Sequence, residues 1–150
     1  MEKDLIAALT ARDEKYAFAA AERIIAESRE TDVWYEYLPS FSALLDHPKS
    51  LVRNRALWIL AANAQWDEEG RYDALLPRIL EHITDEKPIT ARQCVQCLRE
   101  LGEGQRRYIP EILRAIRGAD LSPYQDSMRP LIEKDMAATE AALREAEKEE

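Results

Sequence analysis

The most informative segment of the chain reads Leu44-Leu-Asp-His-Pro-Lys-Ser-Leu-Val-Arg-Asn-Arg-Ala56. Its centre, Asp46-His47-Pro48, is typical of a turn, because proline fixes its own φ and disfavours helical geometry in the residue before it. Apolar residues continue on both sides at steps of three and four, which is the period of an α-helix. The segment therefore predicts the end of one helix, a turn and the start of the next helix.

This junction between two helices recurs along the sequence. A shift of 39 residues brings a second junction into register with the first. The matched pairs are Asp46 with Asp85, Val52 with Ala91, Arg53 with Arg92, and Ala56 with Val95. A further shift of 35 residues from Asp85 reaches Asp120. Such a period is typical of a repeat protein, and the helix before each junction has an early proline, at Pro39, Pro77 and Pro110.

Apolar residues recur at helical spacing almost everywhere, and no segment alternates with the period of two that marks a strand. The sequence therefore predicts an all-α fold with about eight helices. Five are expected over about residues 3–10, 13–28, 50–65, 89–101 and 125–146, and the other three contain residues 34–45, 75–83 and 109–116. Thr31-Asp32 is expected to cap the third helix, Gly102 and Gly104 to end the sixth, and Pro130 to break the eighth.

The repeated pattern resembles the HEAT repeat, a helical pair of about forty residues with proline in its first helix, Asp in the turn, and Val-Arg followed by Ala in its second helix. The resemblance is close in residues 31–66, good in 67–103, and weaker in 104–147 and 3–30. It implies one domain over residues 1–150 that forms a right-handed α-α superhelix, a HEAT-like solenoid of four repeats. Weaker terminal repeats fit this architecture, because end repeats must face water on one side.

The repeated Asp and Arg residues have a structural explanation that is favoured over a ligand contact. Asp46 and Asp85 can cap the helix that follows each turn, and Arg53 and Arg92 can bond to the turn of the neighbouring repeat. On a helical wheel Arg53 lies on the apolar side of its helix, which suits a contact between repeats. Asp67-Glu68-Glu69 is expected to face the positively charged N-terminus of the fifth helix.

Length, charge and cysteine content limit the class of protein. The 150 residues are the size of one domain, and 21 basic against 29 acidic residues give a formal charge of −8, which disfavours non-specific binding to nucleic acid or anionic membranes. The longest charge-free run, from Ala56 to Trp66, is too short to cross a membrane, and the N-terminus lacks the pattern of a signal peptide. Two cysteines are too few for a secreted disulfide framework, so a cytoplasmic protein is expected.

Signals for catalysis or metal binding are weak. Cys94 and Cys97 form a C-x-x-C, but structural zinc needs four ligands and a redox pair needs its first cysteine at a helix N-terminus. His47 lies in a turn and His82 in the last turn of a helix, and no nucleophile motif accompanies them. We therefore expect a protein that is not an enzyme, with no catalytic residues, no metal and no cofactor. A metal or redox site at the two cysteines is a third hypothesis.

The second helix of each repeat offers the best candidate for a binding surface. In HEAT-like solenoids these helices line the concave face, which is the usual binding surface. The wheel places Trp58 opposite the apolar side of the fourth helix, where it would be an aromatic anchor for a protein or peptide partner. Burial of Trp58 against the next repeat is the equally favoured alternative. The predicted partner-binding residues are Asn54, Trp58, Gln65, Gln93, Gln96 and Cys97.

A second hypothesis is nucleic-acid binding or DNA repair. Residues 49–65 and 87–99 contain basic but no acidic side chains, so the acidic chain can carry a local basic strip. HEAT-like DNA glycosylases exist, and the chain is similar to them in architecture class. The predicted phosphate contacts are Lys49, Arg53, Arg55, Lys87, Arg92, Arg99 and Arg129.

Overall fold

The chain folds into eight α-helices in the computed structural model, which describes residues 2–149. The helices are α1 (Glu2–Ala8), α2 (Glu14–Glu30), α3 (Leu38–Ala43), α4 (Ser50–Asn63), α5 (Tyr72–Leu80), α6 (Pro88–Gly104), α7 (Ile109–Arg117) and α8 (Arg129–Glu147). Short 3-10 segments extend or join them at Tyr35–Tyr37, Leu44–Asp46, Ala64–Trp66, Glu81–Thr84 and Arg106–Tyr108. No strand occurs within residues 2–149, so the predicted all-α class and the predicted number of helices are confirmed.

Capping residues explain several of the helix limits. The Asp13 side chain accepts hydrogen bonds from the backbone N–H groups of Lys15 and Tyr16, which fixes the start of α2. At the start of α5, the Asp67 carboxylate accepts hydrogen bonds from the N–H groups of Arg71 and Tyr72 at 3.0 and 3.1 Å. The acidic N-terminus predicted for this helix is therefore confirmed at Asp67.

The cap predicted for the third helix is wrong. The backbone N–H of Thr31 donates to the carbonyl oxygen of Glu27, so Thr31 closes α2 and does not open the next helix. After the 3-10 turn, α3 begins at Leu38. Pro39 lies in its first turn, where the missing backbone N–H leaves no helical hydrogen bond unmade.

The predicted effects of Gly102 and Pro130 are also wrong, whereas α6 does end at Gly104. Helix α6 continues through Gly102, and a Cβ on Gly102 would lie 2.6 Å from Cδ2 of Leu143 in α8. The glycine is needed for close packing of two helices and does not end α6. Pro130 does not break α8, because the helix begins at Arg129 and its first turn tolerates proline.

The even-numbered helices form a parallel row in the order α2, α4, α6, α8, with each packed against the next. The start of α2 meets the start of α4 through Glu14 and Lys49, and the ends of these helices meet where Asn63 Nδ2 donates to Ser28 Oγ at 3.0 Å. In the same way, Thr139 of α8 donates to the Val95 carbonyl oxygen of α6 at 2.9 Å. Helices α3, α5 and α7 connect successive members of this row, and α1 precedes it.

Helix α4 lies at the centre of the core. Its residues 52–57 and 59–63 are all buried, because α2, α3 and α6 surround it. One apolar cluster continues from Ala8 to Ala146 through all the helices of the row. A smaller cluster of Ala91, Tyr124 and Ile132 closes the end near α8.

Candidate functional site

The repeated arginine of the first junction forms a buried ion pair with the second junction. Arg53 donates from Nη2 to Oδ1 of Asp85 at 2.8 Å and from Nε to Oδ2 at 3.0 Å, and Nη1 donates to the carbonyl oxygens of His47 and Pro48. Asp85 Oδ1 also accepts a hydrogen bond from the Lys87 backbone N–H at 2.9 Å. The predicted bond of Arg53 to the neighbouring turn is confirmed. The predicted cap by Asp85 is wrong, because its carboxylate accepts from the N–H of Lys87, which precedes α6, and no side chain caps the helix itself.

Asp85 is held in its charged form. Burial would raise the pKa of Asp85, but hydrogen bonds from His82, Arg53 and the Lys87 backbone hold that pKa well below its usual range. Nδ1 of His82 lies 2.7 Å from Oδ2 of Asp85. These contacts give the carboxylate a structural task, which is to join α4 to the start of α6.

The same contacts are not repeated at the other predicted positions. Arg92 pairs with Asp135 of α8, where Nε lies 2.7 Å from Oδ2, and does not bond to the following turn. Asp46 does not cap α4, which has no side-chain cap, and its Oδ2 instead accepts a hydrogen bond from Nη2 of Arg78 at 3.1 Å. Both side chains still connect neighbouring helices, but the cap and the turn contact predicted for them are wrong.

The seven residues predicted to contact phosphate do not form a free basic strip. Six have carboxylate partners: Lys49 and Arg55 pair with Glu14, Arg53 with Asp85, Arg92 with Asp135, Arg99 with Glu103, and Arg129 with Asp126. Lys87 has no ion pair within residues 2–149. Arg53 and Arg55 must be removed from the predicted strip, because their side chains are only 6% and 7% exposed and cannot reach a phosphate.

A narrow cleft lies between α2 and α4, beside α6. Its volume is about 120 Å³, similar to a cavity that holds a benzene ring. Phe18 and Leu51 are 56% and 48% exposed, so apolar surface of the cleft is open to solvent. The lining includes Phe18, Glu22 and Ile25 from α2, Leu51, Asn54 and Trp58 from α4, and Gln93 from α6.

Trp58 is half-buried in this cleft. Its Nε1 donates to Oε1 of Gln93 at 3.0 Å, so the position of the indole is fixed by α6. The ring packs against the core on one side and lines the cleft on the other. The structure therefore lies between the two predicted alternatives, a fully exposed anchor and a fully buried core residue.

Three of the predicted partner-binding residues meet in the cleft, and three do not. Asn54, Trp58 and Gln93 line it. Gln65 is exposed near the end of α4 and lies against Gly104, and Gln96 donates to Oδ1 of Asp135 at 3.3 Å. Cys97 is completely buried, so its assignment to a binding surface is corrected.

The apolar residues of α2 were absent from the predicted site. The predicted binding surface lies on the second helices of residues 31–66 and 67–103, whereas Phe18 and Ile25 belong to residues 3–30, where the repeat pattern is weak. Their spacing of seven residues puts them on one face of α2, and this is the signal that could have identified them. Leu51 was missed because a single exposed apolar residue is common on protein surfaces.

An ion pair joins α2 to α6 although α4 packs between these helices. Nε and Nη2 of Arg29 each lie 2.9 Å from a carboxylate oxygen of Glu100. Arg29 follows Ile25 by four residues and Glu100 follows Gln93 by seven, so the pair lies on the same side of the row as the cleft. On this side, α2 and α6 approach each other across α4.

The two cysteines are buried in the core. Sγ of Cys94 donates to the carbonyl oxygen of Ile79 at 3.4 Å, and burial raises the pKa of the Cys94 thiol well above its usual value. A protonated, enclosed thiol is a poor nucleophile and a poor metal ligand. Within residues 2–149, no three His, Cys, Asp or Glu side chains are grouped so that they could hold a metal ion.

None of the helices described in residues 2–149 has the length and apolar character needed to cross a bilayer. Comparison with known proteins gives no match to this chain among family models, curated proteins or solved structures.

Proposed function

We propose that this chain is a HEAT-like solenoid of four repeats, a right-handed α-α superhelix, that holds a segment of a partner protein in the cleft between α2 and α4. In this proposal the protein is a non-catalytic scaffold. The observation that carries it is the convergence of Phe18, Leu51 and Trp58 on one cleft that is open to solvent.

The parallel row of even-numbered helices supports the solenoid. Contacts that join neighbouring members of the row, or the turn that leads into one, recur at sequence separations of 32, 35 and 43 residues, in the pairs Arg53–Asp85, Trp58–Gln93 and Arg92–Asp135. Separations of this size agree with the length of a HEAT unit. The Arg29–Glu100 pair supports curvature, because it draws α2 and α6 together on one side of α4, as expected on a concave face.

The apolar lining supports a protein segment as the ligand. One apolar side chain of a partner can enter a cleft of about 120 Å³ and cover Phe18 and Leu51. Complete burial of a leucine-sized side chain contributes about 1.5–3 kcal/mol. Trp58 is already fixed by its hydrogen bond to Gln93, so little conformational entropy would be lost when a partner contacts the ring.

The nucleic-acid hypothesis has less support, because six of its seven basic residues are engaged with carboxylates of this chain. A cytoplasmic location is part of the proposal. It agrees with two free cysteines, Cys94 and Cys97, that are reduced and buried.

Selection of displayed random dodecapeptides against the purified protein tests the proposed function. Phe18→Glu puts a carboxylate into the cleft, and Tyr16→Glu is the matched control. Tyr16 is also an exposed aromatic residue of α2, at 58% against 56% for Phe18, and it does not line the cleft. We expect the selected peptides to lose about tenfold or more in affinity for Phe18→Glu and to keep their affinity for Tyr16→Glu. Peptides that bind both variants as tightly as the wild type would contradict the proposal.

A further inference from the structure

We propose that the partner segment continues out of the cleft across the starts of α6 and α8, and that it carries acidic side chains among its apolar ones. The whole row of even-numbered helices then binds the segment, each helix with one exposed apolar side chain and a nearby lysine. This inference rests on the proposed function and adds the path and the chemistry of the segment.

Exposed apolar side chains are concentrated near the starts of the four helices of the row. Residues 2–149 contain six large apolar side chains that are exposed, and all but Val33 lie within the first five residues of these helices. Exposed apolar residues that are grouped in this way indicate a binding surface. Each helix contributes at least one, and we call the following four the apolar strip: Phe18, Leu51, Ile89 and Leu131.

The apolar strip extends from the cleft onto α6. Phe18 and Leu51 line the cleft together with Gln93 of α6. Ile89 precedes Gln93 by four residues, so it lies on the same face of α6, one turn nearer the start of the helix. Its side chain is 60% exposed, which is the largest value among the exposed apolar residues.

The same side of the row continues from α6 to α8. Arg92 and Gln96 of α6 both donate to the carboxylate of Asp135 in α8. Ile89 precedes Arg92 by three residues, and Leu131 precedes Asp135 by four. Ile89 and Leu131 therefore each lie one turn before this contact, and they are neighbours across the two helices.

The length of the strip suits an extended segment. Packed helices lie about 8–10 Å apart, so the axes of four helices span about 24–30 Å. An extended or polyproline chain rises about 3.1–3.4 Å per residue, so it reaches the next helix at about every third residue. About ten residues are enough to cross the row, which a dodecapeptide can supply.

Each residue of the apolar strip has a lysine beside it. The chain contains six lysines, and four of them are exposed here, two or three residues from the strip residue of the same helix. Within residues 2–149 only one of these four forms an ion pair, Lys49 with Glu14, and it shares that carboxylate with Arg55. The pairs are Lys15 with Phe18, Lys49 with Leu51, Lys87 with Ile89, and Lys134 with Leu131.

The acidic side chains at this end of the row do not cancel the lysines. Glu133 follows Leu131 by two residues and lies on another face of α8. Glu22, one turn after Phe18, is exposed and forms no ion pair within residues 2–149, so the free charges beside the strip are three lysines and one carboxylate. A segment with acidic side chains matches this surplus. The other acids are engaged: Asp85 and Glu86 by Arg53, Asp126 by Arg129, Asp135 by Arg92, and Asp13 by N–H groups of α2.

Apolar side chains beside lysines also suit an anionic lipid surface, but their position favours a protein segment. The strip begins in the cleft, on the side of the row where Arg29 and Glu100 join α2 to α6 across α4. In the proposed solenoid this side is concave. A peptide can follow a concave surface, whereas a flat bilayer cannot.

The apolar part of the inference is tested at residues outside the cleft. The strongest dodecapeptide selected by the wild type is measured by fluorescence anisotropy against Ile89→Ser and Leu131→Ser, and we expect each substitution to weaken binding about fivefold. Val33→Ser is the matched control, because Val33 is also an exposed apolar residue, at 44%, and lies outside the row. It should bind the peptide as tightly as the wild type.

The acidic part is tested with a second peptide in which each acid is replaced by its amide. We expect Asp or Glu to be enriched among the selected sequences, and the amide peptide to bind the wild type about tenfold more weakly. The triple variant Lys15→Gln, Lys87→Gln, Lys134→Gln should bind both peptides alike. Lys148→Gln is the control, since this exposed lysine lies at the other end of α8 and should leave the difference between the peptides unchanged.

Three results would overturn this inference. Unchanged binding by Ile89→Ser and Leu131→Ser, or selected peptides without enrichment of acids, would do so and leave the proposed function intact as long as Phe18→Glu still abolishes binding. Binding to phosphatidylserine vesicles that is lost in Ile89→Ser would assign the strip to a membrane surface. If the library yields no peptide that depends on Phe18, both proposals fail together.

Discussion

Arg53 and Asp85 form a bidentate ion pair that is almost completely buried, with side-chain exposures of 6% and 3%. The two residues are 32 positions apart in sequence, and each has further partners: Arg53 donates to two backbone carbonyls, and Asp85 accepts from Lys87 N–H. Both charges lose solvation on burial, so the intact pair adds little net stability compared with two well-packed apolar side chains of similar volume. Its importance lies in fixing α4 against the start of α6.

Removal of one partner should therefore be strongly destabilising. Arg53→Ala leaves the Asp85 carboxylate buried without its guanidinium, and we expect the free energy of unfolding to fall by about 3–5 kcal/mol. Urea unfolding followed by circular dichroism measures this change. Arg78→Ala is the control, because the Arg78–Asp46 pair is exposed and its loss should change stability by less than about 1 kcal/mol. Equal effects of the two substitutions would contradict the structural role of the buried pair.

Asp85 also predicts how stability depends on pH. Its pKa is lowered in the folded protein from a usual value of 3.8, so its stabilising effect is present above about pH 4 and is lost as the pH falls below that value. We expect the free energy of unfolding of the wild type to fall steeply between pH 4 and pH 2.5, and that of Asp85→Asn to fall less. Urea unfolding across this range tests the difference. Asp46→Asn, at an exposed carboxylate, should keep the steep dependence of the wild type.

The helical period and the repeated Asp and Arg residues were sufficient to predict the all-α class, the eight helices and the bond of Arg53 to the neighbouring turn. The start of α3 and the continuation of α6 past Gly102 were not predicted, because they depend on packing between distant segments. Gly102 is the clearest example. Its place in the sequence is typical of a helix end, but the need for it comes from Leu143, which is 41 residues later in the chain.

The surface of α4 shows why half of the candidate site was not predicted. A helical wheel assumes one buried and one exposed face, but α4 has neighbours on several sides, so the polar residue Asn54 is buried as well as the apolar residues. Arg53 and Arg55 are hidden by carboxylates that come from other parts of the chain. The cleft itself needs Phe18 of α2 beside Leu51 of α4, and no pattern within one helix can show this pairing.

Gly102→Ala should destabilise the protein, although alanine is the better helix former by about 1 kcal/mol. The added Cβ would lie 2.6 Å from Cδ2 of Leu143, so the buried Leu143 side chain or the two helices must shift, at a cost of about 1–3 kcal/mol for overpacking. Thermal and urea unfolding measure the net effect. In the double variant with Leu143→Ala, the contact is absent, and Gly102→Ala should then be neutral or stabilising. A destabilising effect that is the same with and without Leu143 would show that the close contact is not its cause.

Binding to DNA should be absent or very weak, because the side chains that would supply it are already paired. A protein that neutralises several phosphates releases counterions, so the logarithm of its binding constant falls linearly with the logarithm of the salt concentration. Here Arg53 and Arg55 are buried, and Lys49, Arg92, Arg99 and Arg129 have carboxylate partners, which leaves Lys87 as the basic residue of the predicted strip without an ion pair in residues 2–149. We expect no saturable binding of a labelled duplex by fluorescence anisotropy at low salt. Two results together would favour the nucleic-acid hypothesis over the proposed protein partner. Binding would be saturable and would weaken steeply between 50 and 200 mM salt, and the double variant Lys87→Ala, Arg99→Ala would not bind.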